Sequence, residues 1–288
     1  MKRIILFCCL ALLLCSCAGI NVKKPDIGNV KKIAILAVTG NEEFIDIEEF
    51  KEKKETLMSF VGGIIKDNVE YFTEEQVTIV THGANELHKA LSSIDGWTVV
   101  PFEETLNSED VKAFFASDAI QKTAEAIENA ENHLHMDKIH NAKKTRYVTP
   151  TGMMPLPYNY IVPSGHYYVN NTKVEDFILK PVGELCEKLD VDAIAIADFQ
   201  FAYEKGMMTK LMNRVTPIVR VDVALVDKSG NMILYSDRGW DQFEGDDYAR
   251  YSNGGVDMKA SGTVDVYRAA VNKAVEGFKK KAAAKIGK

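Results

Sequence analysis

The chain has 288 residues, of which 46% are hydrophobic and 26% are charged, and its formal net charge at pH 7 is −6. The apolar fraction is high enough for a large globular core, formed by one domain or by one domain with an insertion. The acidic balance argues against nucleic acid and against electrostatic docking on an anionic bilayer, because both attract clustered positive charge.

The amino-terminal residues have the pattern of an export signal. Two basic residues precede the apolar run IILFCCLALLL at positions 4–14, and these 11 residues are too few to span a bilayer as a helix. The next residues read LCSC and resemble the bacterial lipoprotein box, in which a leucine and two further residues precede an invariant cysteine. The resemblance implies cleavage after Ser16 and lipid attachment at Cys17, so residues 1–16 are predicted to be a lipoprotein signal peptide.

Cleavage after Ser16 would change the net charge of the chain and the number of its cysteines. It removes two of the 35 basic residues, which leaves 33 against 41 acidic residues and a formal net charge of −8. It also leaves Cys186 as the only cysteine besides Cys17, so no disulfide can form between free thiols within the chain. The helical pattern VGELCEKL predicts that Cys186 is a small buried residue, with a reactive thiol as the alternative. By the same resemblance, Ala18 after the anchor implies the outer membrane of a Gram-negative bacterium.

A linker is predicted to follow the anchor. The stretch AGINVKKPDIGNVK at positions 18–31 mixes charged, glycine and proline residues, and its 14 residues reach at most about 50 Å when fully extended. We therefore expect a lipidated tether at 17–31 and a single α/β domain at 32–288, held near its membrane.

The first half of the domain reads as alternating strands and helices. A continuous apolar run predicts a strand at 31–40 that is covered on both faces. An amphipathic pattern predicts a helix at 57–72. Strands are predicted at 76–83 and 96–103, with a short helix between them. Ser108 resembles a helix N-cap, and a long helical region is expected from there to about residue 140.

Residues 143–172 stand apart from this pattern. They hold four of the eight prolines and five of the eleven tyrosines, and no helix tolerates that proline spacing. We predict an insertion in this range, with two interpretations left open: an ordered surface loop without a partner, or a contact surface for a partner or ligand. The candidate contact residues are Tyr147, Tyr158, Tyr160, Tyr167 and Tyr168.

The last third of the chain has the clearest periodicity. A helix is predicted at 174–192 with Pro181 inside it, as a kink or a break. A strand follows at 192–205, in which alanines alternate with larger residues. Period-two alternation around the turn DKSGN predicts a β-hairpin at 217–245, and an apolar stripe predicts a final helix at 264–286. Its basic end fits a helix C-terminus, with a membrane patch as the alternative.

Taken together, the elements predict an α/β layered domain with a mixed sheet, parallel early and antiparallel late, and packed helices. The segments VKKIAILAV, DVDAIAIADF and VDVALVDKSGNMILYSDRG resemble a group of envelope lipoproteins with a TolB amino-terminal-like domain. That group includes the curli secretion lipoprotein and the lipoprotein activators of penicillin-binding proteins. The shared motifs are those of a fold and carry no catalytic residue.

Two departures from the group narrow what the resemblance implies. A curli-type pore needs alternating lipid-facing strands, and the prolines of the 143–172 insertion do not suit central barrel strands. The synthase activators reach through the cell wall on long tethers, and a tether at 17–31 is too short for that. The expectation is therefore a TolB-like domain near the membrane with an unusual loop.

The sequence offers few candidates for catalysis. It lacks the glycine-rich nucleotide motifs, the G-x-S-x-G elbow and H-E-x-x-H. His133, His135 and His140 are the best metal candidates, but on a helix His135 points away from the other two, so no metal site is predicted. Ser164 and His166 are adjacent in a loop without a third partner.

A set of charged residues interrupts the late strands. Cross-strand charge pairs on a polar sheet face explain this set most simply, with a polar ligand site as the alternative. The members are Asp198, Arg220, Asp222, Asp237 and Arg238.

We therefore expect a non-catalytic lipoprotein that needs no cofactor. It would be anchored in the outer membrane through Cys17, face the periplasm, and act as a binding or accessory component of an envelope assembly or secretion complex. Its partner would be an envelope protein or further copies of the chain. The alternative is a small-ligand binder in which the 143–172 loop is a lid, and a metal-dependent envelope hydrolase is a more distant third.

Overall fold

A computed structural model describes residues 19–48, 73–123, 125–126, 147–162, 168–169, 172–173, 175–236 and 243–287. The predicted signal peptide, the lipid site Cys17 and the predicted helix at 57–72 lie outside these residues. So do the candidate histidines, Tyr167, and the charged pair at 237–238.

Strands and helices alternate along most of the described chain. In sequence order they are β1 (Ile20–Val22), β2 (Lys32–Asn41), β3 (Ile45–Asp46), α1 (Glu74–Ser92), β4 (Thr98–Val99), α2 (Phe102–Asn107), α3 (Glu109–Ala116), β5 (Tyr147–Val148), β6 (Tyr168–Val169), β7 (Thr172–Lys173), α4 (Asp176–Lys188), β8 (Ala193–Glu204), α5 (Met207–Met212), β9 (Arg214–Asp227), β10 (Met232–Ser236), β11 (Phe243–Glu244), β12 (Ala249–Ser252), β13 (Gly255–Val256) and α6 (Thr263–Ile286). Short 3-10 helices occupy Asp26–Asn29 and Tyr158–Tyr160.

One mixed sheet organises the domain. Its strands lie in the order β1-β10-β9-β8-β2-β4. The early strands β4, β2 and β8 run parallel, and β8, β9, β10 and β1 alternate in direction. The predicted fold class is confirmed: an α/β domain whose sheet is parallel early and antiparallel late.

Helices α1 and α6 cover one face of this sheet. Ala193, Ala195 and Ala197 of β8 point to this face and belong to the same buried cluster as the apolar sides of both helices. Small side chains let the helices approach the strand closely, as the alternation of alanines predicts. Further along β8, Phe199 and Phe201 fill the same face and are fully buried.

The opposite face is covered by α4, α3 and residues 156–161. Ile194 and Ile196 of β8 and Ala224 and Val226 of β9 contribute the sheet side of this second cluster. The proline-rich insertion is therefore in part a component of the core. Pro181 lies inside α4 and does not split it.

A close contact fixes α4 against the β9–β10 turn. A Cβ on Gly183 would lie 2.5 Å from the backbone nitrogen of Gly230, and Gly230 has a φ of +73°. Both positions therefore require glycine, one for space and one for its backbone conformation. The turn that the sequence predicts at DKSGN thus also serves as the docking point of a helix.

Two predictions about local structure are wrong. Residues 76–83, predicted to be a strand, belong to α1, whose N-cap Thr73 forms a capping box with Gln76. The β-branched residues of this stretch suit a strand locally, but the buried side chains Ile79, Val80 and Leu87 have helical spacing. The strand expected at 96–103 is limited to β4.

The predicted tether at 17–31 is also wrong for most of its length. Ile20 pairs with Ser236 in the edge strand β1, and Ile20, Ile27 and Val30 are buried. These apolar side chains bury enough surface to hold the segment on the domain. The first strand of the domain therefore begins at Ile20, and only Ala18 and Gly19 separate it from Cys17.

Candidate functional site

A row of polar side chains crosses the middle of the sheet. Thr39 of β2 lies opposite Asp198 of β8, and Asp198 lies opposite Asp222 of β9. All three residues are buried and lie on the sheet face that α4 covers. Thr39, Asp198, Asp222 and the adjacent Arg220 are called the acid row below.

The two carboxylates of the acid row have different partners. The Thr39 hydroxyl donates a 2.7 Å hydrogen bond to Asp198 Oδ1. Arg220 donates from Nε and Nη2 to Asp222 Oδ2, at 3.0 and 2.5 Å. The ion pair therefore forms within β9, whereas the sequence predicts pairs between strands. Across the strands, the two acids face each other.

This arrangement raises the pKa of Asp198. Burial disfavours the ionised form, and the neighbouring charge of Asp222 adds to the effect, while the Thr39 hydrogen bond and Arg220 oppose it. The net result is a pKa of about 7. The acid row can therefore hold a proton in the physiological pH range.

Apolar residues enclose the acid row at both ends. On one side lie Ile194 and Ile196 of the second cluster. On the other lies a small cluster of Ile47, Ala202 and Ile218. The 3-10 helix of the insertion packs against β8 and β9 on the same face, so the row is a polar band inside a largely apolar layer.

The candidate contact tyrosines do not form one surface. Tyr158 and Tyr160 are 3% and 1% exposed, and the Tyr158 hydroxyl donates to the Ser236 carbonyl at 2.8 Å. These two residues fill the core and cannot contact a partner, so this part of the prediction is wrong. Tyr147 is half-buried in β5, which pairs with β2. The side chains of Tyr167 and Tyr168 lie outside the described residues.

Met154 of the insertion is 53% exposed, but the two most exposed large apolar side chains of the described residues lie elsewhere, where β8 turns into β9. Residues 205–214, called the hairpin tip below, contain the short helix α5. Met207, Leu211 and Met212 are 76%, 71% and 53% exposed. No site was predicted in this segment, although the run GMMTKL between two strands is unusually apolar for a connection.

The tip also carries positive charge. Lys210 and Arg214 are exposed, and Arg250 of β12, which pairs with Arg214 in the ladder, is exposed as well. Lys205 forms an ion pair with Asp46 at 2.5 Å. An exposed apolar helix flanked by basic residues is a pattern of interfacial segments.

The single cysteine of the described residues is inert. Cys186 is buried in α4, and burial raises the pKa of its thiol to about 12. This confirms a small buried residue and argues against the reactive thiol. Among residues 19–48, 73–123 and the later described ranges, no group of three or more His, Cys, Asp or Glu could hold a metal ion.

The basic end of α6 has local partners. Lys279 and Lys280 form ion pairs with Glu276 at 2.7 and 3.7 Å, and they line an open groove with Ser93 and Asp95. Within the part of the chain that the structure describes, no helix is both long and apolar enough to cross a membrane.

No protein-family model matches the chain, and no curated protein matches it significantly. The resemblance to TolB-like envelope lipoproteins therefore rests on the sequence motifs alone and stays a prediction.

Proposed function

We propose that the chain is an exported lipoprotein of the bacterial outer membrane. Lipid on Cys17 holds its α/β domain on the periplasmic side, and the domain acts by binding, as an accessory component of an envelope assembly or secretion complex. Its partner is an envelope protein or further copies of the chain.

One observation carries this proposal: β1 begins three residues after Cys17. Three residues reach at most about 10 Å, so a lipid on Cys17 keeps the domain against the bilayer. A domain held in this way acts on components in or near that membrane. It cannot search the periplasm as a tethered domain with a long linker does.

The state of the reactive groups favours binding over catalysis. Asp198 and Asp222 are buried and engaged by Thr39 and Arg220, and Cys186 is buried with a raised pKa. Groups that perform acid–base or nucleophilic chemistry need access to a substrate. The apolar tip, in contrast, is open to contact.

The test of the anchor compares Cys17→Ser with Cys15→Ser. We expect an alkyne-labelled fatty acid to be incorporated into the parent chain and into Cys15→Ser, and both to fractionate with membranes. Cys17→Ser should lose label and membrane attachment together. Label that persists in Cys17→Ser would contradict the anchor, because only that cysteine occupies the position that the lipoprotein box requires.

The test of the accessory role is cross-linking in intact cells, followed by identification of the captured proteins. The parent chain should capture defined envelope proteins or copies of itself, and the unanchored Cys17→Ser should lose them. Point variants suit this experiment better than removal of the insertion, because residues 156–161 belong to the core. Identical capture by both chains would contradict a role that depends on the membrane.

A second candidate is small-ligand binding with the insertion as a lid. It is favoured by the position of residues 158–160 on the same sheet face as the acid row, where Arg220 keeps 14% of its side chain exposed. Thermal-shift screening of anionic metabolites tests it. A metabolite that raises the melting temperature of the parent but not of Arg220→Gln would support ligand binding under the insertion. A thermal shift that persists in that variant would exclude the acid row as the binding site.

A further inference from the structure

The direction of β1 shows where the amino terminus leaves the domain. Ile20 pairs with Ser236, and Ser236 Oγ accepts a hydrogen bond from the Val223 backbone. Since β1 is antiparallel to β10, and β10 to β9, the chain before Ile20 runs toward the start of β9. That is the end of the sheet that carries the hairpin tip.

The distances bring the anchor and the tip into the same region. From the level of Val223 to Arg214, β9 covers nine residues, or about 30 Å. The chain from Cys17 to Ile20 can reach at most about 10 Å. An upright sheet would therefore place the tip at least about 20 Å past the lipid attachment, inside the bilayer. A sheet that leans can bring both to the membrane surface.

The basic end of α6 lies at the opposite end of the sheet. Lys279 and Lys280 line a groove with Ser93 and Asp95, which precede β4. Strand β4 pairs with the first residues of β2, far from the tip. Of the two basic surfaces, only the tip lies on the side toward which the amino terminus runs.

The chemistry of the tip suits a lipid surface. Met207, Leu211 and Met212 are more than half exposed, and Lys210 and Arg214 can meet phosphate headgroups while the apolar side chains enter the interface. The formal charge of the whole mature chain, −8 from 33 basic and 41 acidic residues, opposes attraction of the entire domain to anionic lipid. Contact must therefore be local and mainly apolar.

We propose that the hairpin tip is a second membrane attachment, which inserts the apolar side chains of α5 into the headgroup region of the bilayer that holds Cys17. Its partner is the lipid surface. The orientation rests on the proposed lipid anchor. The tip fixes the tilt of the domain, whereas the lipid alone fixes only its distance from the membrane.

The test places an environment-sensitive fluorophore on Leu211→Cys, with Ser229→Cys in the β9–β10 turn as the matched control. Both positions are exposed, so neither substitution removes core packing. Cys186 does not compete for the label, because it is buried and its thiol pKa is about 12. The lipidated mature chain is reconstituted in vesicles of phosphatidylethanolamine and phosphatidylglycerol, and the lipid on Cys17 is read separately by mass spectrometry.

We expect the Leu211 label to shift its emission to shorter wavelength and to be quenched by brominated acyl chains, while the Ser229 label does neither. If both labels remain in water on a chain that carries its lipid, the tip proposal is overturned and the anchor stands. A chain without lipid on Cys17 overturns the anchor and, with it, the orientation. The Leu211 label could also be shielded from water in native membranes but not in vesicles made from the lipids extracted from them. That result would show that the tip binds a membrane protein, and it would overturn the proposal that the tip binds lipid.

Discussion

The two faces of the central sheet differ in the polarity of their buried side chains. The face under α1 and α6 is apolar along the length of β8, from Ala193 to Phe201. The face under α4 and the insertion is apolar only up to Ile196, and then Asp198 and Asp222 interrupt it. Both faces are buried, so the difference does not follow from solvent exposure.

The comparison suggests that the faces contribute differently to the fold. An apolar face increases the free energy of unfolding, because it buries apolar area and packs closely. A buried polar row contributes less net energy, because desolvation offsets its interactions. It can still favour one register, since a slip of one residue between β2 and β8 would separate Asp198 from the Thr39 hydroxyl that donates to it. The following predictions test this division.

The largest effect is expected on the apolar face. Phe199→Ala should lower the free energy of unfolding by about 3–5 kcal/mol, because it leaves a cavity against α1, where the ring fills the space above Gly83. Leu211→Ala, at an exposed site, should change it by less than about 0.5 kcal/mol. Chemical denaturation measures both. A loss below about 1 kcal/mol for Phe199→Ala would mean that this face is poorly packed.

The next effect is expected on the acid row. Asp222→Asn should lower the free energy of unfolding by about 2 kcal/mol, because the largely buried Arg220 loses its counter-ion. The loss stays below that of a fully buried pair, since 14% of the Arg220 side chain is exposed. The double variant Asp222→Leu with Arg220→Met should recover most of the loss in the same denaturation experiment. Failure to recover would show that Asp222 has a role beyond its ion pair.

The sequence predicts the apolar face better than the polar one. Period-two alternation in β9 and the stripe of α6 define which side chains meet, so the hairpin and the last helix are predicted correctly. The polar residues Asp198, Arg220 and Asp222 are also correctly expected on one face. That Asp198 would face Asp222 could not be predicted, because it depends on the register between β8 and β9, which the connection at 205–213 leaves open.

Two of the wrong predictions, those for residues 18–31 and for the tyrosines of the insertion, share one cause. Residues 18–31 look like a linker and the tyrosines of the insertion look like a surface, because both stretches are rich in turn-forming residues. Each one nevertheless completes the core: Ile27 under β10, and Tyr160 over β8 and β9. Local composition does not reveal whether a sheet edge or face lacks a cover, which is a property of the whole fold.

The third prediction concerns the pH dependence of stability. Because Asp198 has a pKa of about 7 in the folded chain, against 3.8 ordinarily, the folded state binds the extra proton between these values. The free energy of unfolding should therefore fall as the pH rises from about 4 to about 7 and level off above that. Asp198→Asn removes this contribution and should be more stable than the parent at pH 8, by on the order of 1–3 kcal/mol.

Urea denaturation across this pH range measures the effect, with Asp192→Asn as the control. Asp192 accepts hydrogen bonds from the backbone of Lys31 and Lys32, and its pKa is lowered. Its replacement should therefore reduce stability at neutral pH and leave the fall between about pH 4 and pH 7 in place. Equal slopes for Asp198→Asn and the parent would show that Asp198 ionises normally.

The smallest effect is expected where the insertion meets the sheet. Tyr158→Phe keeps the buried ring and removes the hydroxyl that donates to the Ser236 carbonyl, so we expect a loss of about 1 kcal/mol. Tyr248→Phe, at a residue that is 40% exposed, should have no measurable effect. Thermal denaturation of the two variants and the cross-linking experiment should be performed together. If the Tyr158→Phe variant captures fewer envelope proteins but is as stable as the parent, the insertion opens in the cell and exposes its tyrosines to a partner. A loss of stability with unchanged capture leaves them as core residues and directs the search for partners to the surface around the tip.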